Sequence, residues 1–461
     1  MSEVVTPGLF DRAIRRITDV WRDMASGVSR EEDDSIEAQM RACLAGRGGE
    51  VSARNRAAKL AETYLSLDDT GKRDFLRSIA SFDSDADGIT TAYTTLLEAT
   101  TPAESAAAKA SLRRALEPPR VRLLTQFTTI PDGMKFIVDL RTTLLGIMKG
   151  DPHLTALEAD MRGLLANWFD VGFLELKRID WDSPAALLEK LVGYEAVHFI
   201  RSWRDLKNRL DSDRRCYAFF HPRMPAEPLI FVEVALVRGL ADSVQRLLDQ
   251  KAPVEDARAA DSAIFYSISN CQRGLAGISF GNFLIKRVVG ELSAEFPNLK
   301  SFATLSPIPG LRRWLEAKIA EDDTTLLTEE ETAALLEQEK AENGPLALQA
   351  LLARPRWWRE APVAKAVEPV LVRLCARYLL AEGRGKRAAD PVAHFHLSNG
   401  ARVERLNLAA DVSEKGVKES FSLMVNYLYD PTKIETYHED YAGEGRRHAS
   451  TAVRKLARGW A

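Results

Sequence analysis

The fold of this chain is decided between Asp261 and Gly310, where the sequence reads DSAIFYSISNCQRGLAGISFGNFLIKRVVGELSAEFPNLKSFATLSPIPG. Aromatic and β-branched residues predict a strand over Ala263–Ser269, and apolar residues at helical spacing predict an amphipathic helix over Phe283–Leu292. A second strand follows over Phe302–Ile308. Strand, helix and strand in this order form a βαβ unit, so the two strands should lie parallel and adjacent in one sheet.

A glycine-spaced loop separates the first strand from the helix and contains Gly274, Gly277 and Gly281. Glycine lets the backbone approach a ligand closely, and the start of a helix directs free N–H groups and positive partial charge at the loop. These features suit a phosphate group. The spacing matches neither G-x-G-x-x-G nor G-x-x-x-x-G-K-[ST], however, and on spacing alone a structural turn is the commoner explanation.

Ser306 stands where the second strand ends, directly before Pro307. Ligands of open parallel sheets bind at the carboxyl ends of the strands, so this hydroxyl is a candidate site residue. A serine before proline is also an ordinary turn residue. No G-x-S-x-G motif surrounds it, which argues against the nucleophile of an α/β-hydrolase.

Two histidines lie in the stretch AHFHLSNGARVERLNL over Ala393–Leu408. Asn399-Gly400 between two alternating runs predicts a β-hairpin with a type I′ turn. In the first hairpin strand His394 and His396 would share one face, because side chains alternate along a strand. No third cysteine or histidine stands nearby, so this pair is a poor candidate for a metal site.

Four separate segments carry a resemblance to a known family. They are His221–Leu236 (HPRMPAEPLIFVEVAL), Phe265–Val289, Phe302–Gly310 and Phe395–Ala401 (FHLSNGA). In this order and spacing they resemble the malonyl-CoA decarboxylase family. The resemblance implies an α+β protein in which residues 1–168 form an all-helical bundle that mediates oligomerisation. Residues 169–461 would form a GNAT acetyltransferase-like mixed α/β catalytic domain with helical insertions.

The resemblance also implies the reaction, which converts malonyl-CoA to acetyl-CoA and CO2 without a cofactor or metal. Ser306 and His396 match the family's catalytic pair; His396 would donate a proton, since histidine titrates near neutral pH, and Ser306 would accept one. The same two residues would contact the CoA substrate. The remaining CoA contacts would come from backbone N–H groups of the loop, which consists of Ala276, Gly277, Ile278, Ser279, Phe280, Gly281 and Asn282.

This loop departs from the Q/R-x-x-G-x-G/A pattern of many acetyltransferases, because Cys271 occupies the leading position. Its register on the CoA pyrophosphate therefore stays open. Two alternative functions also stay open: an acyl-CoA transferase that uses a small acceptor, and a non-catalytic CoA-binding helical scaffold.

Composition limits the partners and the compartment. The 461 residues include 63 basic and 66 acidic side chains, for a net charge of −3, which gives no global electrostatic reason to bind nucleic acid. Four widely spaced cysteines argue against a zinc site or a disulfide scaffold. No apolar run is long enough for a membrane span, and Met1–Arg30 lacks a secretory core. We expect a cytoplasmic homo-oligomer, a dimer or tetramer, that binds malonyl-CoA and acetyl-CoA but neither nucleic acid nor membrane.

Two acidic features need a separate interpretation. Asp83–Gly88 (DSDADG) matches the first half of a calcium-binding EF-hand loop, but Thr94 replaces the bidentate glutamate at the twelfth position, so no calcium site is expected. An acidic turn at a helix start, with Asp87 or Gly88 near the N-cap, is preferred. Glu233 lies in the middle of the predicted strand Pro228–Val237. It is either a solvated outward residue or a buried acid near the site, and the first interpretation is slightly favoured.

Two further segments are predicted to surround the catalytic elements. Residues from Leu311 to about Glu382 form a helical insertion between strands, which could serve as a lid or as an oligomer contact. The basic cluster Arg384–Arg387 (RGKR) is either a solvated loop or a contact for the CoA ribose phosphate.

Overall fold

The computed structural model describes residues 18–26, 35–46, 49–278, 283–321, 323 and 325–459. Over these ranges the chain forms two compact units. One consists of the described residues of 1–175, 220–229 and 272–279, and the other of the remaining described residues. The first unit is mostly helical and the second carries the main body of a β-sheet, so the mixed α+β architecture predicted from the sequence is confirmed. The domain boundary at 168/169 and the oligomerisation role of the helices stay predictions.

Buried aromatic side chains hold the helical unit together. Tyr64 and Phe136 contact each other at a centroid separation of 5.5 Å, and three further ring pairs join them to Trp21, Phe75 and Phe127 at 4.9 to 5.4 Å. Such pairs contribute ~0.5–1.5 kcal/mol each beyond the burial of apolar area. The helices of this unit are 18–25, Ile36–Ala45, Glu50–Ser66, Asp69–Ser81, Ala86–Glu98, Pro102–Leu116, Pro119–Gln126, Gly133–Ile147 and Pro152–Trp168.

The EF-hand-like stretch is the start of a helix. Asp85 is the N-cap of Ala86–Glu98, and its carboxylate accepts a hydrogen bond from the Gly88 N–H at 2.8 Å. The neighbouring Asp83 pairs with Arg120 at 3.0 Å. Both carboxylates therefore have structural partners within the protein.

The larger sheet has eight strands, in the order β1-β2-β3-β4-β5-β10-β6, with β9 pairing on β10. The remaining two strands, β7 and β8, form a separate small hairpin. The strands are β1 (Glu175–Ile179), β2 (Arg214–His221), β3 (Met224–Val237), β4 (Ser262–Asn270), β5 (Ser301–Thr304), β6 (Ser306–Pro307), β7 (Gly383–Arg384), β8 (Arg387–Ala388), β9 (Arg402–Asn407) and β10 (Met424–Tyr429).

The remaining helices belong to the second unit. The four that follow β6 and precede β7 confirm that the predicted insertion is helical, although its role stays open. The helices are Ala185–Tyr194, Trp203–Arg209, Val244–Leu247, Phe283–Glu295, Leu311–Ala320, Glu329–Gln338, Gly344–Ala353, Ala361–Leu380, Pro391–Ser398, Glu414–Ser420, Ile434–Glu444 and Thr451–Leu456.

The βαβ unit predicted from the sequence is confirmed. β4 and β5 are parallel neighbours, with Phe265 opposite Thr304, and the helix Phe283–Glu295 connects them. The predicted second strand is divided into β5 and β6, because side chains replace the backbone bonds to β10 at Thr304. Its carbonyl accepts from the Asn426 side chain at 2.8 Å, and its Oγ1 accepts the Tyr427 N–H at 3.1 Å. β10 pairs antiparallel with both pieces and keeps one register across the break. Ser306 therefore begins a short strand beyond this break.

The predicted hairpin around Asn399-Gly400 is wrong in its first half. Pro391–Ser398 is a helix, whose N-cap Asp390 accepts hydrogen bonds from the Val392 and Ala393 N–H groups at 2.9 and 3.0 Å. Gly400 follows this helix with φ of 78°. A helix end and a type I′ turn both use Asn or Gly at positive φ, so the dipeptide fits either structure. The preceding Asp-Pro pair, an N-cap followed by a first-turn proline, specifies the helix.

The slightly favoured outward orientation of Glu233 is also wrong. Its side chain is 2% exposed, and one carboxylate oxygen lies 3.1 Å from a guanidinium nitrogen of Arg209. Arg209 also binds Asp205 at 3.0 Å. Burial, with a smaller contribution from nearby Glu195, raises the pKa of Glu233 to about 8 despite the opposing effect of Arg209. The helix Trp203–Arg209 brings this arginine onto β3 and so removes the acid from solvent.

The four cysteines are buried free thiols. Arg384–Arg387 spans the β7–β8 hairpin, and its contact with a ribose phosphate stays a prediction. Among the described helices, none combines the length and the apolar character that a membrane span requires.

Candidate active site

Ser306 lies at the start of β6, and its side chain belongs to a buried hydroxyl pair. Its Oγ donates a hydrogen bond to Thr304 Oγ1 at 2.8 Å, and both residues are at most 5% exposed. Thr304 Oγ1 also accepts the backbone N–H of Tyr427 on β10 at 3.1 Å. The two hydroxyls share a sheet face because their residues are two apart, and β10 fixes their position.

His396 reaches this hydroxyl pair from the helix Pro391–Ser398. Its Nε2 lies 3.0 Å from Ser306 Oγ, although 90 residues separate the two in the sequence. The imidazole is stacked on the Tyr427 ring at a centroid distance of 4.5 Å, and its Nδ1 lies 2.7 Å from the Tyr429 hydroxyl. The ring is therefore held on two edges and one face, and the residue is 3% exposed.

Burial lowers the pKa of His396 to about 3, so the imidazole is neutral at neutral pH. This corrects the expectation of ordinary titration near neutrality. The hydrogen bonds indicate which nitrogen carries the proton: because the Ser306 hydroxyl donates its one proton to Thr304, it accepts Nε2–H, and the unprotonated Nδ1 accepts from the Tyr429 hydroxyl. The Ser306 hydroxyl in turn donates to Thr304. One directed chain thus runs from Tyr429 to Thr304.

Asp390 couples the segment that carries His396 to the segment that carries Ser306. One of its carboxylate oxygens caps the His396 helix, while the other accepts the Gly310 N–H at 3.2 Å and the Tyr378 hydroxyl at 3.4 Å. A Cβ at Gly310 would overlap the Tyr378 hydroxyl, so glycine is required for this approach. The carboxylate is buried, and that burial raises its pKa.

The helix separates the two histidines. Positions two apart on a helix point ~200° apart, whereas on the predicted strand they would have shared a face. His394 Nδ1 lies 2.8 Å from the Tyr441 hydroxyl, away from Ser306. Of the predicted site residues, the structure thus brings Ser306 and His396 together.

Three site residues were missed by the sequence analysis: Thr304, Tyr427 and Tyr429. Tyr427 and Tyr429 alternate in the strand VNYLYD, so a shared sheet face was predictable from their spacing. The contact of these tyrosines with His396 was not predictable, because it joins β10 to the helix Pro391–Ser398, and the sequence had predicted a strand there.

The predicted CoA loop is described only in part. Ala276, Gly277 and Ile278 are described and belong to the helical unit, whereas Ser279, Phe280, Gly281 and Asn282 lie outside the described residues. Gly277 has φ of 77°, and the space where a Cβ would stand is open. This position therefore has the glycine-specific backbone that the loop prediction requires.

The loop begins from a fixed support inside the helical unit. The buried Arg141 donates to the carbonyls of Gly274 at 2.5 Å and Ala276 at 2.9 Å, and it pairs with Glu158 at 2.6 Å. A Cβ at Gly274 would collide with the Val138 carbonyl. Gly274 is thus a packing glycine. Arg141, in the helix Gly133–Ile147, supports the loop through contacts that no local motif in the sequence revealed.

The described residues contain no cluster of three or more histidine, cysteine, aspartate or glutamate side chains arranged to hold a metal ion.

Comparison with protein families matches residues 172–460 to the malonyl-CoA decarboxylase C-terminal domain and residues 82–169 to the malonyl-CoA decarboxylase N-terminal domain. The chain belongs to the malonyl-CoA decarboxylase family.

Curated relatives and solved structures agree with this family. The mitochondrial malonyl-CoA decarboxylase of Anser anser anser is 38% identical over 347 residues, which cover 73% of this chain and 69% of the relative. That of Rattus norvegicus is 37% identical over 359 residues, covering 75% and 72%.

The crystal structure of malonyl-CoA decarboxylase from Rhodopseudomonas palustris is 41% identical and superposes with a TM-score of 0.82, covering 92% of this chain and 99% of that one. The crystal structure of malonyl-CoA decarboxylase from Agrobacterium vitis is 40% identical and has a TM-score of 0.83, covering 91% of this chain and 99% of that one. In this malonyl-CoA decarboxylase family member, Ser306 and His396 form a buried pair within hydrogen-bond distance.

Proposed function

We propose that this chain decarboxylates malonyl-CoA to acetyl-CoA and CO2, with Ser306 and His396 as the catalytic pair. The observation that carries the proposal is the 3.0 Å approach of His396 Nε2 to Ser306 Oγ in a family member whose relatives are named for this reaction. The pair is buried, and a site shielded from water strengthens electrostatic contacts with a charged acyl group.

A malonyl thioester needs little chemical assistance to lose CO2. When the C–C bond to the carboxylate breaks, its electron pair moves into the thioester carbonyl and forms an enolate. A proton then adds to the α-carbon and completes acetyl-CoA. The enzyme must therefore align the breaking bond with the carbonyl, donate hydrogen bonds to the developing oxyanion and deliver one proton.

The hydrogen-bond chain suits His396 for the last of these tasks. Its Nε2–H is directed at Ser306 Oγ, where the malonyl group would lie. A thioester enolate is a stronger base than imidazolate, so a neutral imidazole can release this proton to the carbanion. Ser306 accepts the Nε2–H hydrogen bond before the substrate binds and orients the malonyl group afterwards. Tyr429, which donates to Nδ1, limits the negative charge left on the ring and fixes its tautomer.

We also propose that the catalytic domain is of the GNAT type and that the loop of residues 276–282 binds the CoA pyrophosphate. The support is the order of the sheet, in which the antiparallel pair β3-β4 adjoins the parallel pair β4-β5, followed by the antiparallel pair β10-β9. The positive φ of Gly277 adds to this support.

Three further expectations belong to this proposal: a cytoplasmic location, a homo-oligomer formed through the helical domain, and catalysis without an added cofactor. The two vertebrate relatives are named as mitochondrial proteins, so location needs its own test by fractionation of the native host. Light scattering after size exclusion would measure the oligomer. Binding to nucleic acid or to lipid vesicles should be absent at physiological salt, given the net charge of −3.

Turnover in D2O tests the reaction. Decarboxylation followed by protonation should give acetyl-CoA whose methyl group carries one deuterium, which mass spectrometry reads directly. Unreacted malonyl-CoA from the same sample serves as the control for exchange before the reaction. If the products are malonate and free CoA, or if a product forms only when a small acceptor is added, the proposal is wrong and a hydrolase or transferase replaces it.

A further inference from the structure

A second concave site, with a volume of about 560 Å³, lies within the sheet-containing unit. Neither Ser306 nor His396 lines it. Its walls come from the start of Leu311–Ala320, the segment 352–359 and the segment 412–418. Five cationic side chains line it, against the single acid Glu414: Arg312, Arg354, Arg356, Arg359 and Lys418.

Two of the five cations already have partners. Arg354 pairs with Glu339 at 2.6 Å and Glu360 at 3.3 Å. Arg312 pairs with Glu316 at 2.8 Å, and its guanidinium lies over the Phe421 ring at 5.1 Å. These contacts hold the two arginines at the wall of the site.

The other three cations form no ion pair with the residues that the structure describes. Among the described residues, no carboxylate lies within 4.0 Å of the charged groups of Arg356, Arg359 or Lys418. Arg356 also has φ of 55°, a left-handed conformation that bulky residues rarely adopt. The three exposed cations line one concave surface, so a single anion bound there can pair with more than one of them.

We infer that this pocket binds a nucleotide-like anion, meaning a molecule with two or more phosphate groups beside a flat ring. Arginine forks match phosphate oxygens in two-point hydrogen bonds, and the pocket volume falls in the range of small-molecule sites. The half-buried Trp358 offers an indole face for the ring. The fully buried Trp357, whose ring contacts Trp358 edge-on at 5.9 Å, supports it.

This chemistry has two sources. One is a free nucleotide, and the other is the nucleotide end of CoA. In the second case the inference rests on the proposed reaction, and this pocket would replace the loop of residues 276–282 as the site of the CoA phosphates. The two sources share the polyphosphate and the ring, so binding alone does not separate them. The Michaelis constant for malonyl-CoA separates the two sources, because the pocket is part of the substrate site only if its ligand is the nucleotide end of CoA.

The test compares two charge-matched double variants of the full chain. Arg356→Gln with Lys418→Gln removes two of the free cations of the pocket, and Lys365→Gln with Arg258→Gln removes one exposed lysine and one exposed arginine that do not line it. Circular dichroism and melting establish that each variant is folded. Calorimetric titration with ATP, without divalent metal, then measures binding independently of decarboxylation.

The pocket variant should bind ATP at least ~10-fold more weakly than the unmodified protein, because it loses charged hydrogen-bond donors to the phosphates, which contribute more than neutral ones. The ATP dissociation constant of the control variant should change less than ~3-fold. An unchanged KM for malonyl-CoA then assigns the pocket to a free nucleotide. A KM that rises in parallel with the ATP dissociation constant assigns it to the CoA nucleotide. Absence of ATP binding, or equal binding by the two double variants, overturns the inference.

Discussion

Replacing His396 by asparagine should lower turnover by ~100-fold to 10,000-fold, the range expected for a lost general acid–base group. The structure explains why the loss should be that large. Asparagine removes the nitrogen that lies 3.0 Å from Ser306 Oγ, so the proton donor and the partner of the serine disappear together. The KM for malonyl-CoA should change little, because protonation of the carbanion belongs to the transition state.

The same substitution has a calculable effect on stability. It removes a buried ring stacked on Tyr427 and leaves the Tyr429 hydroxyl without its acceptor, which costs ~1–3 kcal/mol for the unsatisfied group alone. In the unmodified protein His396 has a folded pKa of about 3, below its unfolded value. The contribution of neutral His396 to the free energy of unfolding is therefore fully present above ~pH 6.5. It decreases toward pH 3 by up to ~1.4 kcal/mol per pH unit, because the unfolded chain binds a proton that the folded protein does not. The difference in unfolding free energy between the unmodified protein and His396→Asn should therefore become smaller as the pH falls from ~6.5 toward 3.

The assay needs kcat and KM from acetyl-CoA formation, and denaturant unfolding at two pH values. His394→Asn is the matched control, since it makes the same change two residues away in the same helix, where the histidine contacts Tyr441 instead. Ser306→Ala should resemble His396→Asn. The double variant should be scarcely worse than either single one, because residues that act as one unit are not additive.

A dead His394→Asn enzyme beside a normal His396→Asn enzyme would refute the assignment of roles. Multiplicative losses in the Ser306→Ala, His396→Asn double variant would refute the view that the pair acts together. A stability gap that stays constant between pH 6.5 and 4.5 would contradict the buried, neutral imidazole.

Three more results are expected. Tyr429→Phe should lower kcat about 2-fold to 10-fold with little change in KM, since one hydrogen bond to Nδ1 is lost; a change in KM alone would remove its positioning role. Gly277→Val should weaken CoA binding at least ~10-fold by calorimetry, whereas Lys286→Met, which removes a surface charge paired with Glu435, should change CoA binding less than ~3-fold. The reverse ranking would mean that the loop is a structural turn that does not bind CoA. Finally, kcat/KM should show no His396 titration between pH 5.5 and 7.5, because the neutral imidazole is the working form. A required imidazolium would instead lose activity ~10-fold for each pH unit of increase.

Much of the fold was predictable because local patterns specify it. The βαβ unit follows from a β-rich strand, a loop and an amphipathic helix, whereas the break that places Ser306 beyond the parallel strand β5 was not predicted. The helices of the first unit likewise follow from apolar spacing and from caps such as Thr101 before Pro102. Such signals lie within a few residues of the structure that they specify.

The errors arose where one local pattern fits two structures. Asn399-Gly400 satisfies both a hairpin turn and a helix end, and more weight on Asp390-Pro391 would have favoured the helix. Glu233 alternates like an outward strand residue, yet Arg209, 24 residues earlier, makes its burial possible. No spacing rule in the strand encodes that partner.

The candidate site was predictable as a pair of residues but not as a hydrogen-bond chain. The family resemblance supplied Ser306 and His396, while the contacts to Thr304 and Tyr429 depend on how β10 pairs with β5 and β6. The lowered pKa of His396 depends on complete burial of the ring, a property of the packed structure. Arg141, which supports the start of the loop, acts across more than 130 residues of sequence.

The most direct measurement is a mass spectrum of the CoA species after purified protein is incubated with malonyl-CoA, a metal chelator and no acceptor. The mechanism predicts that acetyl-CoA accumulates with the unmodified protein and with His394→Asn. Ser306→Ala and His396→Asn should each form it at least ~100-fold more slowly. Malonyl-CoA that stays unchanged, or that reacts only after a metal or an acceptor is added, would contradict cofactor-free decarboxylation by this pair.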